Sequence, residues 1–255
     1  MIEVKNLHKS FSGEEILKGI DFVFEAGKTN LIIGQSGSGK SVLLKCMLGL
    51  FKPENGSIEY DGKAYSSFTD EEQRELRKEV GMLFQGGALF DSMTVEENVM
   101  FPLRMFTKQR KRELKARVAE VLKRVNLDGS ENKYPAEISG GMQKRVAIAR
   151  AIVNKPKYLF CDEPNSGLDP TTATVIDNLI QELTRENNIT TVIITHDMNS
   201  VLEIGENIAF LKDGVLAWKG DKSQIFKTDD KTVTDFVYSS DLFKKVRDAQ
   251  IKEIN

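Results

Sequence analysis

Short apolar runs separated by turn signals make up most of the first third of the chain. These runs are rich in Ile, Val and Phe and predict strands at Ile2–Asn6, Ile16–Phe24, Thr29–Ile33, Ser57–Tyr60 and Val80–Phe84. A helical pattern over Ser41–Leu50 follows the third strand, after a stretch that is rich in glycine. This part of the chain is therefore predicted to be mainly β-structure with one early helix.

The pattern becomes helical between residues 86 and 155. Apolar residues at helical spacing predict one helix over Thr107–Asn126 and another over Met142–Val153. Strand patterns then return at Tyr158–Cys161, Thr190–Thr195, Asn207–Leu211 and Val215–Trp218. Helices are predicted between them at Thr171–Glu186 and Met198–Ile204. Strands that alternate with helices favour an α/β fold with a mostly parallel sheet, into which the helical stretch is inserted as a subdomain.

Composition narrows the class of protein. The chain has 255 residues, of which 36 are Lys or Arg and 38 are Asp or Glu, so the formal net charge is −2. This charge gives no general attraction to nucleic acid, and no apolar run reaches the ~18–20 residues of a membrane-spanning helix. The first residues lack the apolar core of a signal peptide, and Cys46 and Cys161 lie in apolar stretches typical of reduced core positions. We predict a cytoplasmic protein that needs a partner for any role in a membrane.

The glycine-rich stretch has the sequence of a phosphate-binding loop. The pattern G-x-x-x-x-G-K-[ST] is matched in full, between a predicted strand and a predicted helix, by Gly34-Gln35-Ser36-Gly37-Ser38-Gly39-Lys40-Ser41. The glycines let main-chain N–H groups face a phosphate chain, and the helix N-terminus adds a positive dipole. We expect Lys40 to contact the β- and γ-phosphates of ATP and the Ser41 hydroxyl to bind Mg²⁺.

Two adjacent carboxylates follow the apolar strand Tyr158–Cys161. Ligands bind at the carboxyl ends of strands in open α/β sheets, which is where Asp162 and Glu163 are expected. Asp162 suits the binding of Mg²⁺ through a water molecule, and Glu163 suits activation of the attacking water. Taken alone, the pair is also consistent with two solvated acids at the end of a strand.

Three further side chains are candidates, each with an ordinary alternative. His196 follows the strand Thr190–Thr195 and is expected at the γ-phosphate, although a histidine at this place is usually a packed, satisfied side chain. Gln85 ends the strand Val80–Phe84 and is able to contact both Mg²⁺ and the attacking water, or is a plain loop residue. Phe11 is expected in a loop after the first strand, where it either stacks on a purine or packs in the core.

A capped glycine-rich helix start is predicted at residues 138–143. Ser139 is able to cap this helix, and Gly140 and Gly141 leave its N-terminus free for an anion. Taken alone, this is simply a capped helix. A role in nucleotide binding follows only if a second copy of the chain faces this segment. Ser139 and the Gly141 N–H would then contact a γ-phosphate bound in the phosphate loop of that copy.

A basic run precedes this segment at Thr107–Arg124, where eight Lys or Arg stand against two Glu. Such a run is usually a solvated helix face. Only Phe106 is near it, whereas nucleic-acid binding normally brings interleaved aromatic residues. We predict no nucleic-acid partner; an orientation toward anionic lipid headgroups is a weak alternative.

Together these motifs resemble the ATP-binding subunit of ABC transporters over nearly the whole chain. Each family motif has a counterpart in the expected order: Phe11 as the adenine-stacking aromatic, Gly34–Ser41 as Walker A, Gln85 as the Q-loop, Ile138–Gln143 as the signature, Asp162 and Glu163 as Walker B with the catalytic base, Ser166–Asp169 as the D-loop, and His196 as the switch histidine. Within these, Asp169 is expected to belong to the nucleotide site.

The resemblance implies a fold and an assembly. The fold is a P-loop NTPase of the ABC type, with a mostly parallel core sheet, an N-terminal antiparallel β part and an inserted helical subdomain. The core is expected at residues 1–85 and 156–220, the helical subdomain at 86–155 and a helical tail at 221–255. The assembly is a homodimer that binds two ATP molecules with Mg²⁺ between its subunits, beneath two copies of a transmembrane permease at the cytoplasmic face of the membrane.

The segment after the Q-loop resembles a smaller group, the ATPases of Mla-type phospholipid transporters. The similarity is carried by Met142, where many family members have Gln, by Phe101-Pro102-Leu103-Arg104, and by Gln85-Gly86-Gly87-Ala88-Leu89-Phe90-Asp91-Ser92-Met93-Thr94-Val95-Glu96-Glu97-Asn98-Val99. It implies phospholipid transport with MCE-domain partners. The alternative interpretation of the segment is a Q-loop followed by a capped helix, which many importers share.

Other classes of function stay open at this point. One alternative is the ATPase of an importer of small polar solutes such as amino acids, and another is a soluble ABC ATPase of cofactor assembly. A module that binds ATP without hydrolysing it is disfavoured by Glu163 and His196.

Overall fold

The computed structural model describes residues 1–238. Its strands are β1 (Ile2–Phe11), β2 (Glu14–Phe24), β3 (Thr29–Ile33), β4 (Asn55–Tyr60), β5 (Lys63–Ala64), β6 (Val80–Leu83), β7 (Tyr158–Asp162), β8 (Thr190–Thr195), β9 (Asn207–Lys212) and β10 (Val215–Gly220). Its α-helices are α1 (Lys40–Met47), α2 (Asp70–Lys78), α3 (Val95–Phe106), α4 (Lys111–Arg124), α5 (Gly140–Ile152), α6 (Pro170–Glu186), α7 (Met198–Ile204) and α8 (Lys231–Val237).

The strands form two sheets. The smaller has the antiparallel order β2-β1-β4-β5, and the larger has the order β10-β9-β3-β8-β7-β6. In the larger sheet β9, β3, β8, β7 and β6 run parallel, and β10 pairs antiparallel with β9. The predicted fold class, a mostly parallel core sheet with an N-terminal antiparallel part, is confirmed.

Both faces of the larger sheet are covered. Leu31 and Ile33 of β3 belong to the hydrophobic core that includes residues of α3, α4 and α5, whereas Ile32 belongs to a second core shared with the smaller sheet and α1. All five residues of β3 are buried. Burial on both faces is why this strand has no apolar–polar alternation.

The helix predicted over Thr107–Asn126 is wrong at its start. It begins only at Lys111, because the Glu113 carboxylate accepts a hydrogen bond from the Arg110 N–H at 3.0 Å and caps the chain there. The sequence pattern also did not predict α2, and it gave α3 only as an alternative, a capped helix after the Q-loop. Both begin with a capping box, formed at α3 by Thr94 and Glu97.

Strand β1 continues to Phe11, five residues past the predicted end at Asn6. Asn6 has φ of 43°, and the pairing with β2 shifts register between Val4 and Leu7. Such a bulge interrupts the alternation of apolar side chains, which is why the pattern stopped early. Phe11 therefore ends a strand and does not lie in a loop.

Two other predicted helices differ in extent. Helix α1 ends at Met47 and not at Leu50, where Gly49 at φ of 70° turns the chain. In the tail predicted to be helical over residues 221–255, turns precede α8, and residues 239–255 lie outside the described residues. Within residues 1–238, no helix combines the length and apolar character needed to cross a bilayer.

Candidate functional site

The loop between β3 and α1 forms one wall of a cavity of about 870 Å³. Gly34 has φ of 150°, and a Cβ there would lie 2.2 Å from the main-chain oxygen of Leu211, so only glycine fits. Gly39, at φ of 101°, leads into α1 without a side-chain cap from any described residue. The first N–H groups of α1 are therefore free for an anion.

Most of the predicted site residues meet in this cavity. They come from the ends of β1, β6, β7 and β8 as well as from the loop, and are Phe11, Gly34, Gln35, Ser36, Gly37, Gly39, Lys40, Ser41, Gln85, Asp162, Glu163 and His196. The remaining loop residue, Ser38, has a buried hydroxyl with no hydrogen-bond partner among the described residues. An unpaired buried hydroxyl in this loop fits a bound phosphate chain, which supplies acceptor oxygens.

Lys40 provides the cation of the loop. Its side chain is only 8% exposed, and Nζ donates to the main-chain oxygens of Gly34 and Gln35 at 2.9 and 2.8 Å. Burial lowers the pKa of Lys40, and the nearby charges of Glu163 and Asp162 act in the opposite direction. A buried ammonium held by carbonyl oxygens alone is ready to pair with phosphate.

The two carboxylates at the end of β7 have different surroundings. Glu163 Oε1 lies 2.8 Å from His196 Nδ1, and the histidine is largely exposed. Asp162 is half-buried, and its pKa is raised mainly by burial and then by Glu163, with Lys45 and Lys40 opposing. Glu163 is placed to accept a proton from a water in the cavity, with His196 beside it.

Three residues with oxygen donors suited to Mg²⁺ line the cavity. The hydroxyl of Ser41, the amide of Gln85 and the carboxylate of Asp162 all line it, and Mg²⁺ prefers such oxygen ligands. When bound, the ion neutralises charge on the phosphate oxygens. Gln85 Nε2 also lies 3.4 Å from Ser166 Oγ, so it borders the segment that follows Glu163.

Phe11 forms the edge of the cavity nearest the smaller sheet. Its ring is 39% exposed, packs edge-on against Phe51 at 5.1 Å and has Lys9 Nζ 4.9 Å from its centroid. The edge-on packing supports the ring from one side. The rest of the ring remains available to a flat partner such as a purine.

Four predicted site residues lie elsewhere. Ser139, Gly140, Gly141 and Asp169 line a separate cleft of about 440 Å³. Ser139 Oγ accepts a hydrogen bond from the Met142 N–H at 3.3 Å, and the Asp169 carboxylate caps α6 by accepting from the Thr172 N–H at 3.0 Å. Within one chain the structure does not bring these residues to the phosphate loop.

Two buried cations on α5 were missed by the sequence analysis. Lys144 Nζ donates to the main-chain oxygen of Gln85, and Arg150 donates to the oxygens of Gly87 and Ala88 at 2.6 and 2.8 Å. Burial lowers the pKa of both cations. Nothing in the sequence distinguishes them from solvated charges, because the buried face of α5 is set by the packing of other elements.

Phe236 of α8 is a third missed residue. It lines the same cavity as the phosphate loop and stacks on Phe210 of β9 with ring centroids 4.9 Å apart. Its sequence context carries no nucleotide motif. Phe236 reaches the cavity only because α8 packs against the larger sheet.

A family model described as ABC transporter matches residues 17–166, more than half of the chain. The protein belongs to the ABC transporter family. This ABC ATPase binds ATP with Mg²⁺ and hydrolyses it as the ATP-binding subunit of a transporter. The predicted family, fold, cofactors and enzymatic activity are thereby confirmed.

Relatives support this assignment along nearly the whole chain. The ABC ATPase is 40% identical over 236 residues to a protein of Mycobacterium leprae described as a probable ribonucleotide transport ATP-binding protein, mkl, covering 92% of this chain and 68% of that one. It is 38% identical over 226 residues to the methionine import ATP-binding protein MetN of Clostridioides difficile, covering 89% and 70%. It therefore spans about two thirds of the length of these relatives.

Solved structures show the same architecture. A dimeric bacterial ABC transporter cassette matches with a TM-score of 0.78 and 34% identity, over 87% of this chain and 99% of that one. A dimeric post-hydrolysis state of that cassette, with ADP and Pi bound, matches with a TM-score of 0.77 over the same shares. The cbiO1 protein of Clostridium perfringens, part of an ABC transporter complex, matches with a TM-score of 0.83 and 31% identity, over 93% and 95%.

Proposed function

We propose that this ABC ATPase acts as a homodimer beneath two copies of a transmembrane permease, at the cytoplasmic face of the membrane. We further propose that it energises phospholipid transport together with MCE-domain proteins. Within the dimer, ATP binding closes the two subunits and hydrolysis reopens them. Residues 86–155 act in this cycle as one helical subdomain.

The residues of the two separate clefts have different proposed roles. In the larger cavity the loop amides, Lys40 and Ser41 hold phosphate and Mg²⁺, while Glu163 activates water beside His196. In the smaller cleft Ser139 and Gly141 contact the ATP of the other subunit. This division is supported by the separate linings of the two cavities, which share no residue, and by the dimeric state of a similar cassette.

The single observation that carries the transport proposal is an exposed apolar patch just after Gln85. Phe90 is 39% exposed and packs against Phe101 with ring centroids 4.8 Å apart, and Met105, one turn further along α3, is 61% exposed. We call Phe90, Phe101 and Met105 the coupling patch. An apolar group of this kind on a helical subdomain suits docking of a permease segment.

The coupling patch is connected to the signature helix α5. Arg150 of α5 holds the main chain at Gly87 and Ala88, and its guanidinium lies 5.8 Å from the centre of the Phe90 ring. Asn98 is fully buried and bonds both the N–H and the oxygen of Phe90. A displacement of α5 would therefore move the patch as well.

The phospholipid substrate is supported by sequence alone, through the segment Gln85–Val99 and Met142. A second candidate is import of a small polar solute, which the names of the relatives favour: methionine for one and ribonucleotide for another. A soluble role in cofactor assembly leaves the coupling patch without a partner. Every catalytic residue is shared by these candidates, so only the partner and the substrate separate them.

Gene deletion tests the substrate. Loss of a phospholipid transporter in a cell with two membranes should disturb the lipid balance of the outer membrane and raise sensitivity to detergent or bile salts, without an auxotrophy. Complementation with the wild type should reverse this, whereas Glu163→Gln should not. A strain that instead requires an amino acid or other solute and keeps a normal outer membrane favours the importer.

Co-purification tests the docking surface. Phe90→Asp should weaken recovery of the permease from detergent-solubilised membranes while leaving ATP binding intact. Val215→Asp is the matched control, because Val215 on β10 is 41% exposed and lies in another part of the fold. Equal recovery of the permease with both variants argues against the coupling patch.

A further inference from the structure

We propose that Lys144 is a positioning residue for ATP hydrolysis, which holds the main chain of Gln85 from helix α5 and so sets where the Gln85 amide lies in the nucleotide cavity. The proposal rests on the role expected for Gln85, contact with Mg²⁺ and the attacking water, and thus on the proposed function. Lys144 itself does not line that cavity, and it lies outside the family motifs found in the sequence.

Lys144 is buried against the turn that follows β6. Its side chain is only 6% exposed, and Nζ donates to the main-chain oxygen of Gln85. Strand β6 ends at Leu83, and within residues 1–238 the Gln85 main chain forms no other hydrogen bond. The placement of Gln85 at the cavity wall therefore depends on this ammonium group.

One side of α5 carries further contacts to the same turn. Lys144, Ala147 and Arg150 follow one another at intervals of three residues, which places them along one side of a helix. A Cβ on Gly87 would lie 3.8 Å from the Ala147 methyl group. Arg150 donates to the oxygens of Gly87 and Ala88 at 2.6 and 2.8 Å. The turn is thus packed on α5 and bonded to it at three main-chain oxygens.

Helix α5 is also packed closely on the strand that precedes the turn. A Cβ on Gly81 of β6 would lie 2.3 Å from the main-chain oxygen of Ala151, so only glycine permits this approach. Because both the strand and the turn contact the helix directly, a shift of α5 is passed to Gln85 through the Lys144 bond.

A different side of α5 faces the signature cleft. Ser139 caps the helix, and Met142 and Arg145 line the cleft beside it. Lys144 stands two residues after Met142. One helix therefore contacts both the cleft proposed to act on the partner's ATP and the turn that carries Gln85 into its own chain's cavity.

The ammonium group of Lys144 is held in a desolvated place. Burial lowers its pKa, while the charges of Cys161 and Glu163 act in the opposite direction. A hydrogen bond from a charged donor is stronger than one between neutral groups, so the Gln85 oxygen is held firmly. Methionine fills a similar volume without charge or donor. Lys144→Met therefore removes the bond and keeps most of the packing.

Steady-state ATPase assays on the full-length chain test the proposal. Lys144→Met should lower kcat about tenfold and leave the KM for ATP within about twofold, because misplacement of Gln85 slows the chemistry while the phosphate loop stays intact. The Mg²⁺ concentration for half-maximal turnover should rise about tenfold, the low end for loss of a group that orients a metal ligand. Lys123→Met, which changes an exposed lysine of α4, is the matched control and should alter none of these values.

Amide hydrogen exchange without nucleotide or Mg²⁺ gives a readout that does not depend on turnover. The Gly87 N–H donates to the Phe84 oxygen at 2.8 Å within the turn, and the Gly27 N–H donates to the Ile189 oxygen at 2.9 Å in another part of the fold. Loss of the Lys144 bond should speed exchange at Gly87 about tenfold and leave Gly27 unchanged. A general loss of stability would speed both.

The proposal is overturned if folded Lys144→Met keeps kcat within about twofold of the wild type, or if exchange at Gly87 does not increase more than exchange at Gly27. If Lys144→Met does not fold, Lys144→Gln, which has a shorter and uncharged side chain, decides by the same criteria. The expected role of Gln85 fails separately: in that case Gln85→Ala would retain full turnover, whatever the result for Lys144→Met.

Discussion

The phosphate loop and the signature segment are both glycine-rich turns that start a helix, but the two helix N-termini differ in their capping and in the side chains around them. Before α1, no described side chain caps the first N–H groups, and Lys40 and two carboxylates converge on the same cavity. Before α5, Ser139 caps the helix itself. The carboxylate nearest to it, Asp169, is engaged in capping α6.

On the roles proposed above, one chain completes the site at the phosphate loop, whereas the signature cleft is half of a site. The phosphate loop has its cation, its oxygen donors and its candidate base within one cavity. The signature cleft has a hydroxyl, glycine N–H groups and Arg145 in its lining, but neither the phosphate loop nor the candidate base. We propose that the cleft acts on the ATP of another chain, and each prediction below tests one side of this comparison.

Glu163→Gln should give the largest change. A glutamine keeps the shape of the side chain but accepts no proton, so turnover should fall by roughly 10²–10⁴ while ATP still binds. The measurement is phosphate release, paired with gel filtration in ATP and Mg²⁺, where a closed dimer should accumulate. Near-normal turnover would remove Glu163 from the role of base.

Ser139→Arg should disrupt only the signature cleft. The variant should bind ATP like the wild type, because Ser139 is outside the phosphate-loop cavity, but it should fail to dimerise, and turnover should fall at least about 100-fold, the low end for loss of a charge-stabilising group. Nucleotide titration and gel filtration measure the two properties. Loss of ATP binding in the monomer would place Ser139 in its own subunit's site. Mixed dimers with wild type should keep at most one working site.

Lys40→Ala should weaken ATP binding. Hydrogen bonds to charged groups contribute about 1.5–3 kcal/mol, so the Kd should rise roughly 10- to 150-fold. The circular dichroism spectrum should stay native, although the buried oxygens of Gly34 and Gln35 lose their donor. Unchanged affinity with a native spectrum would contradict the phosphate assignment.

Asp177→Asn should have the smallest effect, and on stability. The pKa of Asp177 in the folded chain, about 6, is above its ordinary value of 3.8, so the native state binds the proton more tightly and unfolding free energy falls as pH rises from about 4 to about 6. Each unit corresponds to 1.36 kcal/mol, giving a loss of about 3 kcal/mol. Asp177→Asn removes the carboxylate that lies near the charges of Asp197 and Glu203, so the variant should not lose this free energy as the pH rises.

Denaturant unfolding at pH 5 and pH 8 measures this effect. The advantage of Asp177→Asn over the wild type should be about 1.4 kcal/mol larger at pH 8 than at pH 5, because about one pH unit of the loss lies between pH 5 and the folded pKa of about 6. Glu182→Gln, on the exposed face of α6, the helix that also contains Asp177, should show no such dependence. A pH-independent difference for Asp177→Asn would mean that the carboxyl does not titrate in this range.

The sequence predicted the elements whose pattern is local. β3 and β8 were predicted with correct bounds, because a strand buried on both faces is a continuous apolar run. Helix α2 was missed because its sequence is rich in charge, and α3, which contains Pro102, was predicted only as an alternative. β1 was cut short by a bulge, a feature of pairing with β2 that no local pattern encodes.

The chemistry of the nucleotide site follows from the residues of the phosphate loop and their spacing. A phosphate loop needs particular residues at fixed spacing because backbone geometry and a single lysine do the binding, so Gly34–Ser41 is legible without a fold. The order of the other motifs then identified the family.

Which of those residues meet depends on the packing of the folded chain. Parallel pairing of β7 and β8 puts Glu163 beside His196, and the helical insertion places Ser139 in another cleft. The same packing buries Lys144, Arg150 and Asp177, whose positions look like any solvated charge in the sequence. Burial depends on which faces of the elements pack together. A charge has a desolvation cost only after that packing has removed it from water.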